Sequence, residues 1–141
     1  MPFKRILIAV DFSSDSVEAF RIALDMSPAP SASLHLLHVI EARPAVTVEV
    51  ASEIVQEANA AMDRLIGSCG SVPDSADLTT EIASGEASAE ILNRARDWGA
   101  DLIVLGAKGA ASLESIILGG TAEHVMQGAP CSVLVVRRRS S

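Results

Sequence analysis

Five short apolar runs punctuate the chain, and longer segments of helical period separate them. The runs are RILIAV (5–10), LHLLHVI (34–40), LTTEIA (78–83), DLIVLG (101–106) and SVLVV (132–136). The first, fourth and fifth are nearly continuous in Ile, Val and Leu, as expected of parallel strands covered on both faces. LTTEIA alternates apolar with polar residues and reads as an edge strand. Strand–helix alternation of this kind predicts an α/β fold, a parallel sheet built by right-handed crossovers.

The intervening segments carry helix signals. Ser13, Ser14 and Asp15 offer N-caps for a helix with Val17, Phe20 and Leu24 on one face. Val50, Ile54, Ala58, Met62 and Leu65 form a second stripe at spacings of four and three. Ser88, Ile91, Ala95 and Trp98 form a third, closed by Gly99 as a helix terminator. A fourth helix carries Val125 and Met126 and stops before Gly128 and Pro130. ARPA at 42–45 and GSCGSVPDSA at 67–76 read as surface connections. At 141 residues, with no evident linker or repeat, residues 1–141 read as one domain able to bury a core.

Composition narrows the function. With 49% apolar residues the chain has enough hydrophobic surface to fold. No apolar run is long enough to span a bilayer, so no membrane partner is expected. A net charge of −7 argues against nucleic-acid binding, which rests on neutralised phosphates. Three phenylalanines, one tryptophan and no tyrosine leave little for base stacking. The start MPFKRILIAVD reads as a first strand and not as a signal peptide. With Cys69 and Cys131 as the two cysteines and no CxxC pair, a cytoplasmic location with reduced thiols is expected. The basic tail RRRSS reads as a solvated end.

Four of the nine glycines, Gly106, Gly109, Gly119 and Gly120, fall directly after the fourth run. In an open parallel sheet, ligands bind outside the carboxyl ends of the strands where strand order reverses. Glycines there let amide groups approach a phosphate, and a following helix N-terminus favours negative charge. Gly119-Gly120-Thr121 fits the start of the last helix. The same glycines also suit tight turns around a helix start, so spacing alone leaves both roles open.

The run Gly106-x2-Gly109-x9-Gly119 resembles the nucleotide-loop signature of the universal stress protein family, where Ser or Thr follows the last glycine. ILIAVDFSSDS, LHLLHVI, ASGEASAEIL, ADLIVLGAKG and APCSVLVVR are similar, in order, to the family's strand junctions and closing strand. The resemblance implies a five-stranded parallel sheet in strand order 3-2-1-4-5 with helices on both faces. That architecture is Rossmann-like, of the adenine nucleotide alpha hydrolase-like kind. It also implies ATP, with or without Mg, between the first and fourth strands, and a homodimer through the last strand, Ser132 to Val136.

Carried onto this chain, the resemblance gives Asp11 a contact with the ribose or adenine, beside a second role as cap of the following helix. Ala9, Val10 and Val39 would line the adenine pocket, though each also suits a plain core position. Gly106, Gly109 and Gly119 would shape the phosphate loop, and Lys108 would face the phosphates or solvent. Gly120 stands where the family places a hydroxyl, leaving Thr121 as the substitute. One lost hydrogen bond to a charged group costs about 1.5–3 kcal/mol, or roughly 10- to 150-fold in affinity.

Two functions follow. One is an ATP- or adenine-nucleotide-binding regulatory module of the stress response; the other is a nucleotide-independent dimeric interaction protein on the same fold. No dedicated enzyme is expected. The GxxxxGK[ST] run is absent, as are the SGGxDS and HxGH runs of related ATP-dependent enzymes and any GxSxG elbow. Asp101 sits at the wrong end of its strand, and Glu114 and Glu123 read as an exposed helical face. His35 and His38, three apart on one strand, point to opposite faces and cannot share a metal.

Overall fold

The computed structural model describes residues 3–26, 32–41, 46–69, 77–109 and 118–138. Among them are five strands: β1 (Arg5–Ala9), β2 (Ser33–Ile40), β3 (Asp77–Ser84), β4 (Leu102–Gly106) and β5 (Ser132–Val136). All pair in parallel, in the order β3-β2-β1-β4-β5. The four helices are α1 (Ser14–Met26), α2 (Val48–Ser68), α3 (Ala87–Trp98) and α4 (Gly120–Gly128). The strand order and the edge position of β3 agree with expectation.

Alternation along the strands divides the core between two faces. Ile6, Ile8, Leu34, Leu36, Leu102 and Val104 join Phe20, Met62 and Leu65 beneath α1 and α2. Leu7, Leu37, Ile103 and Leu105 join Ile91, Ala95 and Val125 beneath α3 and α4. Full burial of side chains of this size contributes about 1.5–3 kcal/mol each. Because β1 has β2 on one side and β4 on the other, the chain reverses its winding direction there, and a crevice opens beyond β1 and β4.

Local chemistry sets the helix ends. Ser13 caps α1, its Oγ accepting from the Ser16 amide at 3.3 Å. Thr47 caps α2 through a 3.2 Å bond from the Val50 amide. Glu86 caps α3, accepting from the Ser88 and Ala89 amides at 3.2 and 3.0 Å. Gly99 closes α3 with φ 73°, a left-handed conformation suited to glycine.

Three details depart from the sequence reading. Val50 is 44% exposed, because the first turns of α2 extend past the sheet and burial of the stripe is complete only from Ala58. Met126 is 50% exposed, since Ala122 and Val125 are the residues of α4 that face the sheet. Helix α2 continues through Gly67 to Ser68 and α4 includes Gly128, so both end later than expected. The ARPA segment, residues 70–76 and Glu114 lie outside the described residues.

Candidate functional site

A cleft of about 930 Å³ opens at the carboxyl ends of β1 and β4, within the size range of small-molecule sites. Ala9, Val10, Asp11, Val39, Gly106, Lys108, Gly109, Gly119, Gly120 and Thr121 all border it. They come from β1, β2, β4 and the start of α4, so the sheet reversal brings them together.

The β1–α1 turn forms one wall. Asp11 is exposed, and its Oδ1 accepts from the Ser13 amide at 3.0 Å and the Ser13 hydroxyl at 2.5 Å. Asp11 thus braces the helix cap while facing the cleft. Phe12 between them has φ 66°, the one positive φ at a non-glycine among the described residues. A bulky residue in that region costs roughly 1–3 kcal/mol. Its ring lies 4.6 Å from that of His38. His38 Nδ1 in turn donates to the Val10 carbonyl at 2.7 Å. The Val10 side chain packs in the core beneath α1, and its amide donates to the Leu37 carbonyl at 2.9 Å. Ala9 and Val39 pack on the α3–α4 face of the sheet.

The glycine loop forms the opposite wall, and its glycines answer to different constraints. A Cβ at Gly106 would sit 2.7 Å from the Ser16 nitrogen and 2.9 Å from Asp15 Cβ, so the approach of α1 excludes any side chain. Gly119 has an ordinary extended backbone, but a Cβ there would lie 3.2 Å from the Ala107 carbonyl. Its amide donates to that carbonyl at 2.6 Å. A Cβ at Gly120 would meet nothing within 4 Å.

Asp15, 6% exposed, holds this loop from behind. One carboxylate oxygen accepts from the Lys108 amide at 3.3 Å and the other from the Arg138 amide at 2.9 Å. The Ala107 amide donates to the Val136 carbonyl at 2.8 Å, so the end of β5 is fastened to the loop twice.

Helix α4 opens onto the cleft through Gly119, Gly120 and Thr121, with Gly119 as an N-cap lacking a side-chain bond. Its first intrahelical bond runs from the Glu123 amide to the Gly119 carbonyl at 3.0 Å. The amides of Gly120, Thr121 and Ala122 therefore precede the helical ladder, at the positive end of the helix dipole. Such a helix end favours an anion, and Ala9, Val39 and Ile91 give the cleft an apolar portion.

Sequence reasoning read His38 as a packed or switch-edge histidine, and it borders the cleft; it missed Phe12, Asp15 as the brace behind the loop, and α2. The α2 side contributes Ile54, Ala58, Glu57 and Arg64, the last two paired at 2.8 Å. Asp101 is remote, as expected: it accepts from the Lys4 and Arg5 amides at the amino end of the sheet.

A sequence model of the universal stress protein family matches residues 2–137. A universal stress protein of Methanocaldococcus jannaschii is 32% identical over 146 residues, spanning 96% of this chain and 83% of the relative. Among solved structures, UspA of Lactobacillus plantarum superimposes with a TM-score of 0.83 at 30% identity, covering 97% of this chain and 99% of that one. A universal stress protein of Archaeoglobus fulgidus, solved in complex with dAMP, shares the fold at TM-score 0.67 and 20% identity, covering 96% and 99%. Another, in complex with cAMP, does so at 0.69 and 20%, covering 96% and 98%.

Proposed function

The chain belongs to the universal stress protein family, and from that premise we propose that it binds an adenine nucleotide in the cleft and serves as a regulatory module of the stress response. The observation that carries this reading is the opening of the α4 amino end into a cleft that the ends of β1, β2 and β4 also line. Ala9, Val10 and Val39 border the adenine end and Asp11 the ribose. Gly106, Lys108, Gly109, Gly119, Gly120 and Thr121 surround the phosphate, with ATP as the nucleotide that the family resemblance suggests. The dAMP and cAMP held by two proteins of this fold are in keeping with that ligand class.

The reading extends to a cytoplasmic homodimer joined through β5 that is not a dedicated enzyme. The test is calorimetry with ATP and Mg on the purified chain, read beside its melting temperature. Heat of binding with a raised melting temperature is expected. No heat at high micromolar nucleotide, with an unmoved melting temperature, defeats the reading.

A nucleotide-independent interaction protein is the second reading. Its motive is the loop itself: Gly120 carries no hydroxyl, and the Lys108 and Gly119 amides already have internal acceptors. It predicts that Gly109→Asp, with the cradle blocked, still supports stress survival in cells. Loss of survival by a folded, dimeric Gly109→Asp variant refutes it.

A further inference from the structure

Side chains alternate along β2, so residues 34, 36 and 38 share the face covered by α1 and α2. Leu34 and Leu36 are buried there. The next place in the alternation holds His38, at the point where the strand reaches the cleft. An aliphatic residue would continue the core; a histidine brings ring nitrogens that seek partners.

The imidazole meets the β1–α1 turn on both sides of Asp11. Its Nδ1 donates to the Val10 carbonyl at 2.7 Å, and its ring lies 4.6 Å from that of Phe12 at an interplanar angle of 40°. Val10 is tied to β2 a second time, through its amide to the Leu37 carbonyl at 2.9 Å. Phe12 holds φ 66°, which a bulky residue keeps only where its surroundings impose it. Packing against the core beneath α1 is one such constraint, and the imidazole is another. Between these two held residues Asp11 borders the cleft, its amide donating to Ser16 Oγ at 3.3 Å and its carboxylate bracing Ser13.

We propose that His38 is a positioning residue of the nucleotide site: it holds the backbone before and after Asp11 and so sets how that carboxylate is presented to the ligand. The inference rests on nucleotide binding in the cleft and adds a residue that acts there through another. Two properties of histidine are used together. The Nδ1 donor fixes the Val10 peptide, and the flat ring supports Phe12 in its left-handed conformation.

Calorimetric titration with ATP and Mg, or with AMP where ATP gives no heat, tests the proposal on the intact chain beside its melting temperature. His38→Phe keeps a ring and removes the donor, and it should weaken binding about tenfold, the effect of one contact to a charged group. His38→Asn restores a donor and should recover most of that loss. Asp11→Ala should weaken binding to a similar degree. Adding His38→Phe to Asp11→Ala should then weaken it no further, because the two changes remove one effect. Parent-like affinity of His38→Phe, or losses that multiply in the double variant, overturns the proposal and leaves nucleotide binding intact. Where His38→Phe does not fold, Phe12→Gly carries the test, since glycine accepts φ 66° without the ring contact. Weaker binding at an undiminished melting temperature is expected of it, and parent-like affinity overturns the proposal. A parent chain silent with both nucleotides removes the proposal and the nucleotide reading together.

Discussion

At position 106 a side chain of any size collides with the backbone of the first helix. Gly106→Ala should therefore destabilise the chain by about 1–3 kcal/mol, the usual cost of overpacking, whereas Gly120→Ala, which enters open space, should stay within about 0.5 kcal/mol of the parent. Urea unfolding of the two variants checks this contrast, and equal losses would refute it. The Asp15 carboxylate poses a different question, since it accepts from two amides at once. An asparagine can accept with its oxygen but turns N–H against N–H on the other side. Asp15→Asn should cost about 1–3 kcal/mol, the price of one unsatisfied buried donor. Amide exchange should quicken at Lys108, at Arg138 or at both, while Leu7 and Ile8 in the central strand stay protected. Unchanged exchange at both amides would show that the carboxylate does not hold the loop.

Between residues and the whole sheet, element by element, legibility follows from how local each cause is. The strands could be read because a strand covered on both faces has to be apolar along its length, as RILIAV and DLIVLG are. Helix α3 could be read because its stripe and its left-handed Gly99 are local signals. Val50 misled because the period of α2 says which face is apolar, not where the sheet beneath it ends. Asp15 was invisible as a clamp because its partners lie 93 and 123 residues away. The place of the glycines beside the cleft was legible from their position directly after the fourth apolar run, but the α2 wall with Glu57 and Arg64 carries no motif.

The contact between β3 and α3 has a pH signature. His35 lies 2.6 Å from Thr79 Oγ1 through Nδ1 and 2.8 Å from Glu81 through Nε2, and Arg94 donates to Glu81 at 2.6 Å. Burial alone raises the Glu81 carboxyl, but the hydrogen bonds and charges of His35 and Arg94 outweigh it and hold the group below its ordinary 4.5. A carboxyl lowered in the folded state adds stability above its unfolded value and loses it as pH falls through the folded one. Stability should therefore decline as pH falls below about 4.5, and Glu81→Gln should flatten that decline. Thermal melts between about pH 6 and about pH 3 decide the matter. Equal slopes for parent and variant would exclude Glu81 as a source.

For the whole molecule, the two edges of the sheet differ in chemistry. β3 presents Thr79, Thr80 and Glu81, whereas β5 is Ser-Val-Leu-Val-Val and has β4 on one side only. Val133, Leu134 and Val135 are partly buried against the two core faces, which among the described residues leaves an apolar edge with main-chain groups open to pairing. Such an edge is a template for a second strand, and two copies of β5 can satisfy each other about a two-fold axis. Light scattering at micromolar protein should give twice the monomer mass, and Val133→Lys should shift it to monomer with an unaltered circular dichroism spectrum. A monomeric parent ends the proposal. The edge is also fastened to the glycine loop, through Ala107 to Val136 and Arg138 to Asp15. Ligand binding and dimerisation should then be linked, and linkage is reciprocal: the factor by which AMP changes the dimer dissociation constant equals the factor by which dimerisation changes AMP affinity. Dilution experiments with and without AMP should reveal a change of about fivefold or more, the lower range of measured couplings. A dissociation constant that AMP leaves unmoved would mean that the two fastenings transmit nothing.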